Sequence, residues 1–346
     1  MAPTPLPFCA LPWTPDLAAA LANAAAAIAR LDGRISESPL APAWTLRASW
    51  SGYATALTLQ QVPLEEIDII AAHCGLRLAS RRAPPTAGDP FATYAPWLAR
   101  LAEGDGRHWR EDLPFTFDPP PGWSEAPALV RALVLLDAWT RADLTLAPWL
   151  AFPIALRRME ITASPLPCLV AGAPGQRFAL DPRPALLKRL FKQLRRSAEA
   201  GLERLQRLER HARYSAAAIA AEHRPGKLAD LGRIALARPC LAARTLAPLL
   251  GVTLSGAGKL LERATRLRLL VEVSGRDTWR CYVTPDVATA LGMVPQARGR
   301  PPLPAPPSPA LDTVLATFDA EMAALGTRLE RLGVSACPDN ANQVFG

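Results

Sequence analysis

The chain has 346 residues, half of them hydrophobic, with 39 Lys+Arg against 31 Asp+Glu and a formal net charge of +8. That length allows two domains and a tail or two, and the apolar half can bury real cores. Few aromatics, many Ala and Leu and short β-branched runs predict a mostly helical protein. No apolar run reaches about 18 residues without a breaker, so a transmembrane helix is not expected.

Residues 1–12 form a proline-rich lead without the positive and long apolar stretches of a signal peptide. The six cysteines are Cys9, Cys74, Cys168, Cys240, Cys281 and Cys337. They are scattered and make no Cys-x-x-Cys, so reduced thiols and a bacterial cytoplasmic location are expected. Residues 13–182 predict a helical domain. Its helices fall at 17–31 (ended by Asp32 and Gly33), 40–59, 94–102, 126–140 and 148–159. Another starts at Pro63, where proline suits the first turn and Glu65 and Glu66 follow. Residues 81–90 and 114–123 are loops, and 162–183 is rich in proline and glycine.

Residues 183–226 predict a long basic connecting helix over 184–222. Leu187, Leu190, Leu194, Gly201, Leu205 and Leu208 lie near a three-four spacing with Ser197 in step, and the other faces carry Lys and Arg. Such a helix either pairs two chains or packs on its own N-terminal domain, and the pattern leaves both open.

Residues 227–292 hold the most specific pattern. A helical run over 227–237 stops at Arg238 and Pro239, and a second over 242–250 is closed by Gly251, where a residue tolerant of positive φ is wanted. A turn over 252–254 follows, with Thr253 or Ser255 able to cap a third helix over 255–266. Strand-like runs at 269–273 and 279–283 flank a turn at 274–278. Leu246, Leu249 and Leu250, with Leu260, Leu261 and Leu267, supply a small core. This is the order of a winged helix-turn-helix, whose third helix enters the DNA major groove. Thr253, Ser255, Gly256, Lys259, Arg263 and Arg266 are then the candidates on that helix, with Arg276 and Arg280 on the wing. Ser255 and Lys259 would read bases, and Arg263, Arg266, Arg276 and Arg280 would anchor phosphates. A winged helix that binds protein uses the same core.

Residues 293–309 are a proline-rich linker. Inside it, Arg298-Gly-Arg-Pro301 has the form of a minor-groove hook, with Arg298 and Arg300 as candidate contacts. Residues 310–334 predict a last helix with Leu315, Phe318, Met322, Leu325 and Leu329 on one stripe, and 335–346 are a tail. A homodimer is expected through the 184–222 helix or this last one. Charge divides unevenly: residues 183–300 carry 23 Lys+Arg and 9 Asp+Glu, and the rest 16 and 22. A basic half joined to a mildly acidic one fits a phosphate-facing module.

Recognisable catalytic chemistry is missing from the sequence. His73, His108, His211 and His223 make no metal-ligand spacing. Gly172-Ala-Pro-Gly175 lacks the lysine of a phosphate loop, and no Gly-x-Ser-x-Gly occurs. Trp44, Trp50, Trp97 and Trp149 would line a pocket or fill a core.

The chain resembles an uncharacterised bacterial family with a Fic-like helical region before a C-terminal helix-turn-helix. The likeness rests on Ile28-Ala-Arg-Leu-Asp-Gly-Arg-Ile-Ser-Glu-Ser-Pro-Leu40, on Leu59-Gln-Gln-Val-Pro-Leu-Glu-Glu-Ile67 and on Pro127-Ala-Leu-Val-Arg-Ala132. Leu267-Arg-Leu-Leu-Val-Glu-Val-Ser-Gly-Arg276 with Tyr282 completes it. Fic transferases use His-Pro-Phe-x-Asp/Glu-Gly-Asn-Gly-x-x-Arg, where histidine is the base and the glycine loop holds phosphates. The matching stretch, 139–149, has no histidine, glycine or asparagine, and no histidine lies between His108 and His211. The resemblance therefore implies a Fic-like region without catalytic residues, cofactor or metal. The expectation is a mostly α protein of Fic-like region plus winged helix (three helices and a small β-hairpin wing). Its partner is duplex DNA, its role transcriptional regulation, and it acts at no membrane. The rivals are a protein-interaction scaffold and a strongly diverged Fic-type nucleotide transferase.

Overall fold

The computed structural model describes residues 7–76, 89–103, 107–111, 113–178, 184–274 and 280–294, with Thr317, Ala320, Ala324 and Thr327. Among these the chain is mostly helical, with one small three-stranded sheet. Residues 1–295 form one unit and 296–346 another. In the second, the four described residues are helical and exposed; the leucine stripe of the last helix lies outside the described residues.

The first helix, α1 (Pro15–Glu37), is started by Thr14, whose hydroxyl accepts from the Leu17 N–H at 3.2 Å, with proline in the first turn. The sequence predicts a stop at Asp32 and Gly33, but α1 runs through both. Leu31 and Ile35 are buried one turn apart. That burial outweighs a mid-helix glycine, which costs about 1 kcal/mol. The next helix, α2 (Ala41–Leu59), is buried on nearly every face. A helix apolar all round belongs inside a protein. Gly52 lets a neighbouring segment lie against it: a Cβ there would stand 2.0 Å from the Pro167 carbonyl oxygen.

The helix predicted from Pro63 starts later, as α3 (Glu66–His73). Asp68 accepts from the Glu65 N–H at 2.8 Å, which fixes the first turn there and leaves Pro63 in the connection. α4 (Tyr94–Ala102) falls where the sequence places it. α5 (Ala128–Ala142) and α6 (Ala147–Arg158) fall within two residues of their predicted bounds. Residues 162–178 form no longer helix, only two 3₁₀ turns.

α7 (Pro184–Ala220) is 37 residues long, about 55 Å at the α-helical rise. It runs parallel to α1. Lys188 pairs with Asp16 at 2.8 Å near both N-termini, and Arg34 pairs with Glu209 at 3.0 Å at the far end. Its buried stripe is Leu187, Leu190, Leu194, Ala198, Gly201, Leu205 and Leu208. Ala198 takes the place expected for Ser197, which is half-buried. These leucines join the main core, so of the two roles the pattern left open the stripe takes packing within its own chain.

After α7 come α8 (Leu228–Ala237), β1 (Cys240–Leu241), α9 (Ala243–Leu250), α10 (Leu254–Arg266), β2 (Val271–Glu272), β3 (Tyr282–Val283) and α11 (Pro285–Ala290). The sheet order is β1-β3-β2, antiparallel, with Cys240 opposite Val283 and Val271 also opposite Val283. A second core joins Leu228, Leu231, Leu241, Leu246, Leu250, Leu261, Leu270 and Tyr282. Leu249, expected in it, is 43% exposed, because α9 turns only Leu246 and Leu250 inward. Val283, Val287, Ala288 and Leu291 belong instead to the main core.

Arg47 joins the two cores. It is 1% exposed on α2; its Nε donates to Asp286 Oδ2 at 2.7 Å, and its Nη1 to the Leu236 carbonyl at 2.8 Å and the Ala43 carbonyl at 3.1 Å. Arg204 on α7 donates to the Arg47 carbonyl at 2.9 Å and pairs with Glu66 at 2.6 Å. One buried guanidinium thus touches α2, the end of α8 and the start of α11.

Candidate nucleic-acid interface

The turn between α9 and α10 is set by two residues. Gly251 adopts φ 61 and ψ 41, the left-handed conformation that ends α9. Thr253 is extended at φ −69 and ψ 160, and its hydroxyl accepts from the Gly256 N–H at 3.1 Å. Of the two caps the sequence offers, Thr253 is the one used.

α10 buries Ala257, Leu261 and Ala264 and turns its opposite face outward. Ser255 and Lys259, four residues apart, are exposed together on that face. Lys259 has no acidic partner among the described residues, and Arg266 is exposed at the far end. Gly256 and Gly258 are half-buried, and a Cβ at Gly258 would meet nothing within 4 Å. Leu254, in the first turn and 61% exposed, lies on the outer surface; the sequence reading treats it as turn and misses it. Only its position next to the Thr253 cap could have flagged it.

The structure redistributes the predicted basic residues. Arg263 is half-buried and donates through Nε to Glu222 Oε2 at 3.1 Å, with a second, closer contact from Nη2. It ties α10 to the chain just beyond α7 and is not a free phosphate contact. Arg280 pairs with Glu262 on α10 at 3.2 Å, both partly exposed. Neither acidic partner shows in the local pattern: Glu222 is 41 positions from Arg263, and Glu262 is 18 from Arg280. Arg276, Arg298 and Arg300 lie outside the described residues. Beside this surface, Lys227, Asp230, Arg233, Ile234, Ala237, Leu249 and Leu250 line an open groove of about 460 Å³.

The four tryptophan candidates go into the fold, while His73 stays exposed. Trp44, Trp50, Trp97 and Trp149 are all buried in the main core. Trp44 donates to the Gly201 carbonyl at 2.8 Å and Trp97 to the Leu150 carbonyl at 2.7 Å. His73 sits with its ring 5.7 Å from Trp50 and 6.0 Å from Tyr94. Among the described residues no group of three or more His, Cys, Asp or Glu is placed to hold a metal. The stretch 139–149 ends α5, turns and starts α6. Its Leu144 carbonyl accepts from Arg177 at 2.6 Å and from Gln60 at 3.1 Å, and Gln60 also holds the Thr145 carbonyl. Among the described residues no helix is long and apolar enough to cross a membrane. Compared with known proteins, the chain matches no family model and no curated protein sequence.

Proposed function

We propose that the chain binds duplex DNA through residues 227–292, a winged helix-turn-helix, and acts as a transcriptional regulator. The observation that carries this reading is the α9–Gly251–Thr253–α10 turn. It leaves the first turns of α10 exposed, with Ser255 and Lys259 on one face. A helix presented N-terminus first, with backbone N–H groups and a lysine forward, suits the major groove. The element order from α8 to β3, with β1 joining the hairpin, is the order that fold requires.

In this reading Ser255 and Lys259 face base edges, Leu254 adds an apolar contact of the kind a thymine methyl takes, and Arg266 reaches phosphate. Arg263 positions α10 through Glu222. Arg280 anchors the wing, since its exposed pair with Glu262 is worth at most about 1 kcal/mol and yields to a phosphate. Arg276 on the wing, and Arg298 and Arg300 in the linker, supply further backbone or minor-groove contacts. The Fic-like helical region is a platform without chemistry of its own. Pairing of two chains falls to the 310–334 segment, because the α7 stripe is filled.

The test is fluorescence anisotropy with a labelled mixed-sequence duplex. Lys259→Glu weakens binding by tenfold or more, while Arg263→Ala lowers stability more than it lowers affinity. Equal affinity for the Lys259→Glu and parent proteins would sink the assignment. The open groove and exposed Leu249 favour one other reading, a protein-binding winged helix, which predicts weak binding that salt does not change.

A further inference from the structure

We infer that Cys240 and Cys281 are a thiol pair that a hydroperoxide converts to a disulfide, closing a covalent ring around α9 and α10. This stands independently of the DNA reading. The two Sγ atoms are 3.2 Å apart, and both residues are half-buried. The sheet holds them there. Cys240 is opposite Val283 in the β1–β3 ladder, and Cys281 is two residues before Val283, so both occupy the same face. The Cys281 backbone is pinned on both sides: its N–H donates to Ser274 Oγ at 3.2 Å and its carbonyl accepts from the Val273 N–H at 2.9 Å. The Pro239 carbonyl, beside Cys240, accepts from the Thr284 N–H at 2.9 Å. A disulfide needs the sulfurs to approach by only about 1 Å more. Cys74 is near, but it is its carbonyl that Cys240 meets, at 3.3 Å.

The chemistry balances with one hydroperoxide. One thiolate of the pair attacks a peroxide oxygen, the O–O bond breaks, and sulfenic acid and water or an alcohol form. The other sulfur then attacks the sulfenic sulfur, the S–O bond breaks, and the second oxygen leaves as water. Two thiols are oxidised by two electrons, and the peroxide is reduced by two. The bond with Cys281 pulls the Cys240 pKa down, but the Cys74 contact and burial outweigh this and leave it at about 12. The hydrogen bond to Cys240 and burial push the Cys281 thiol up as well. Both are thiols at neutral pH, so the reaction is slow and responds to sustained peroxide, not to traces. The bond would join the two ends of the segment that contains α9, α10 and β2.

The test treats the full-length protein with excess hydrogen peroxide, blocks the remaining thiols with iodoacetamide and maps peptides without reductant. The expected product is a peptide pair joined through Cys240 and Cys281, with two fewer alkylated cysteines per chain. The melting temperature rises and returns after dithiothreitol. Cys240→Ser and Cys281→Ser each abolish the product, and Cys74→Ser keeps it. A bond to Cys74, a bond between chains, or alkylation of both residues after peroxide would each overturn the inference, and mapping of the parent protein suffices if a variant misfolds.

Discussion

Arg47 ties three helices together through one charged side chain. Its guanidinium, almost wholly buried, is held by a carboxylate and two backbone carbonyls, while Asp286 keeps 20% of its side chain exposed. Removing one partner of such a pair strands the other, at about 3–5 kcal/mol. Arg47→Met is therefore expected to lower stability by that amount in urea unfolding, and adding Asp286→Asn returns part of it; a loss below about 1 kcal/mol would contradict the clasp. The same charge acts on two histidines. Burial, then Arg47, pushes the pKa of His73 down. Burial pushes His211 down too, Arg47 adds to it, and Asp286 opposes it without reversing it. Both pKa values lie below the ordinary histidine value when folded, so the unfolded chain takes up protons first as pH falls below about 6.5. Their contribution is complete above that pH and declines below it, towards the folded pKa values. The melting temperature should fall from pH 7 to pH 5.5, and His73→Gln/His211→Gln should flatten that slope. An unchanged slope would remove the histidines from the account.

At the scale of elements, the close approach at Gly52 gives the sharpest expectation. Gly52→Ala places a methyl on the Pro167 carbonyl, so the 166–171 segment must move off α2. Overpacking of this kind costs about 1–3 kcal/mol, readable as a lower urea midpoint; no change would mean that the segment is loosely held. This contact was not legible in the sequence, since nothing local relates Gly52 to Pro167. The same holds for Arg263 and Glu222, and for β1, a two-residue strand defined only by its partner β3. What was legible had a local cause. α4 has its aromatic and leucine face at helical spacing, α8 stops at Arg238-Pro239, and Gly251 ends α9. The boundary errors at Gly33 and Pro63 come from trusting propensity where buried leucine and isoleucine, or a capping carboxylate, decide.

At the scale of the whole molecule, residues 227–292 have their own core but not their own complete surface. Val283, Val287, Ala288 and Leu291 are buried among the N-terminal helices, and Arg47 bonds into the same segment. Cut free, the segment would expose those four side chains and lose the clasp. A fragment of 227–292 is expected to show little helical circular dichroism and no cooperative melt, whereas the intact chain loses both cores in one calorimetric transition. A well-folded fragment would contradict this coupling. The coupling gives the helical region a task on the DNA reading, namely to hold α8 and the sheet so that α10 stands exposed.

Anisotropy of a labelled duplex, titrated with the full-length protein at low and at high salt, tests that reading most directly. Tight binding at low salt and a steep loss as salt rises are expected, with a slope reduced by about one in the Arg266→Ala variant. Absence of binding at low salt, or a binding curve indifferent to salt, would contradict it.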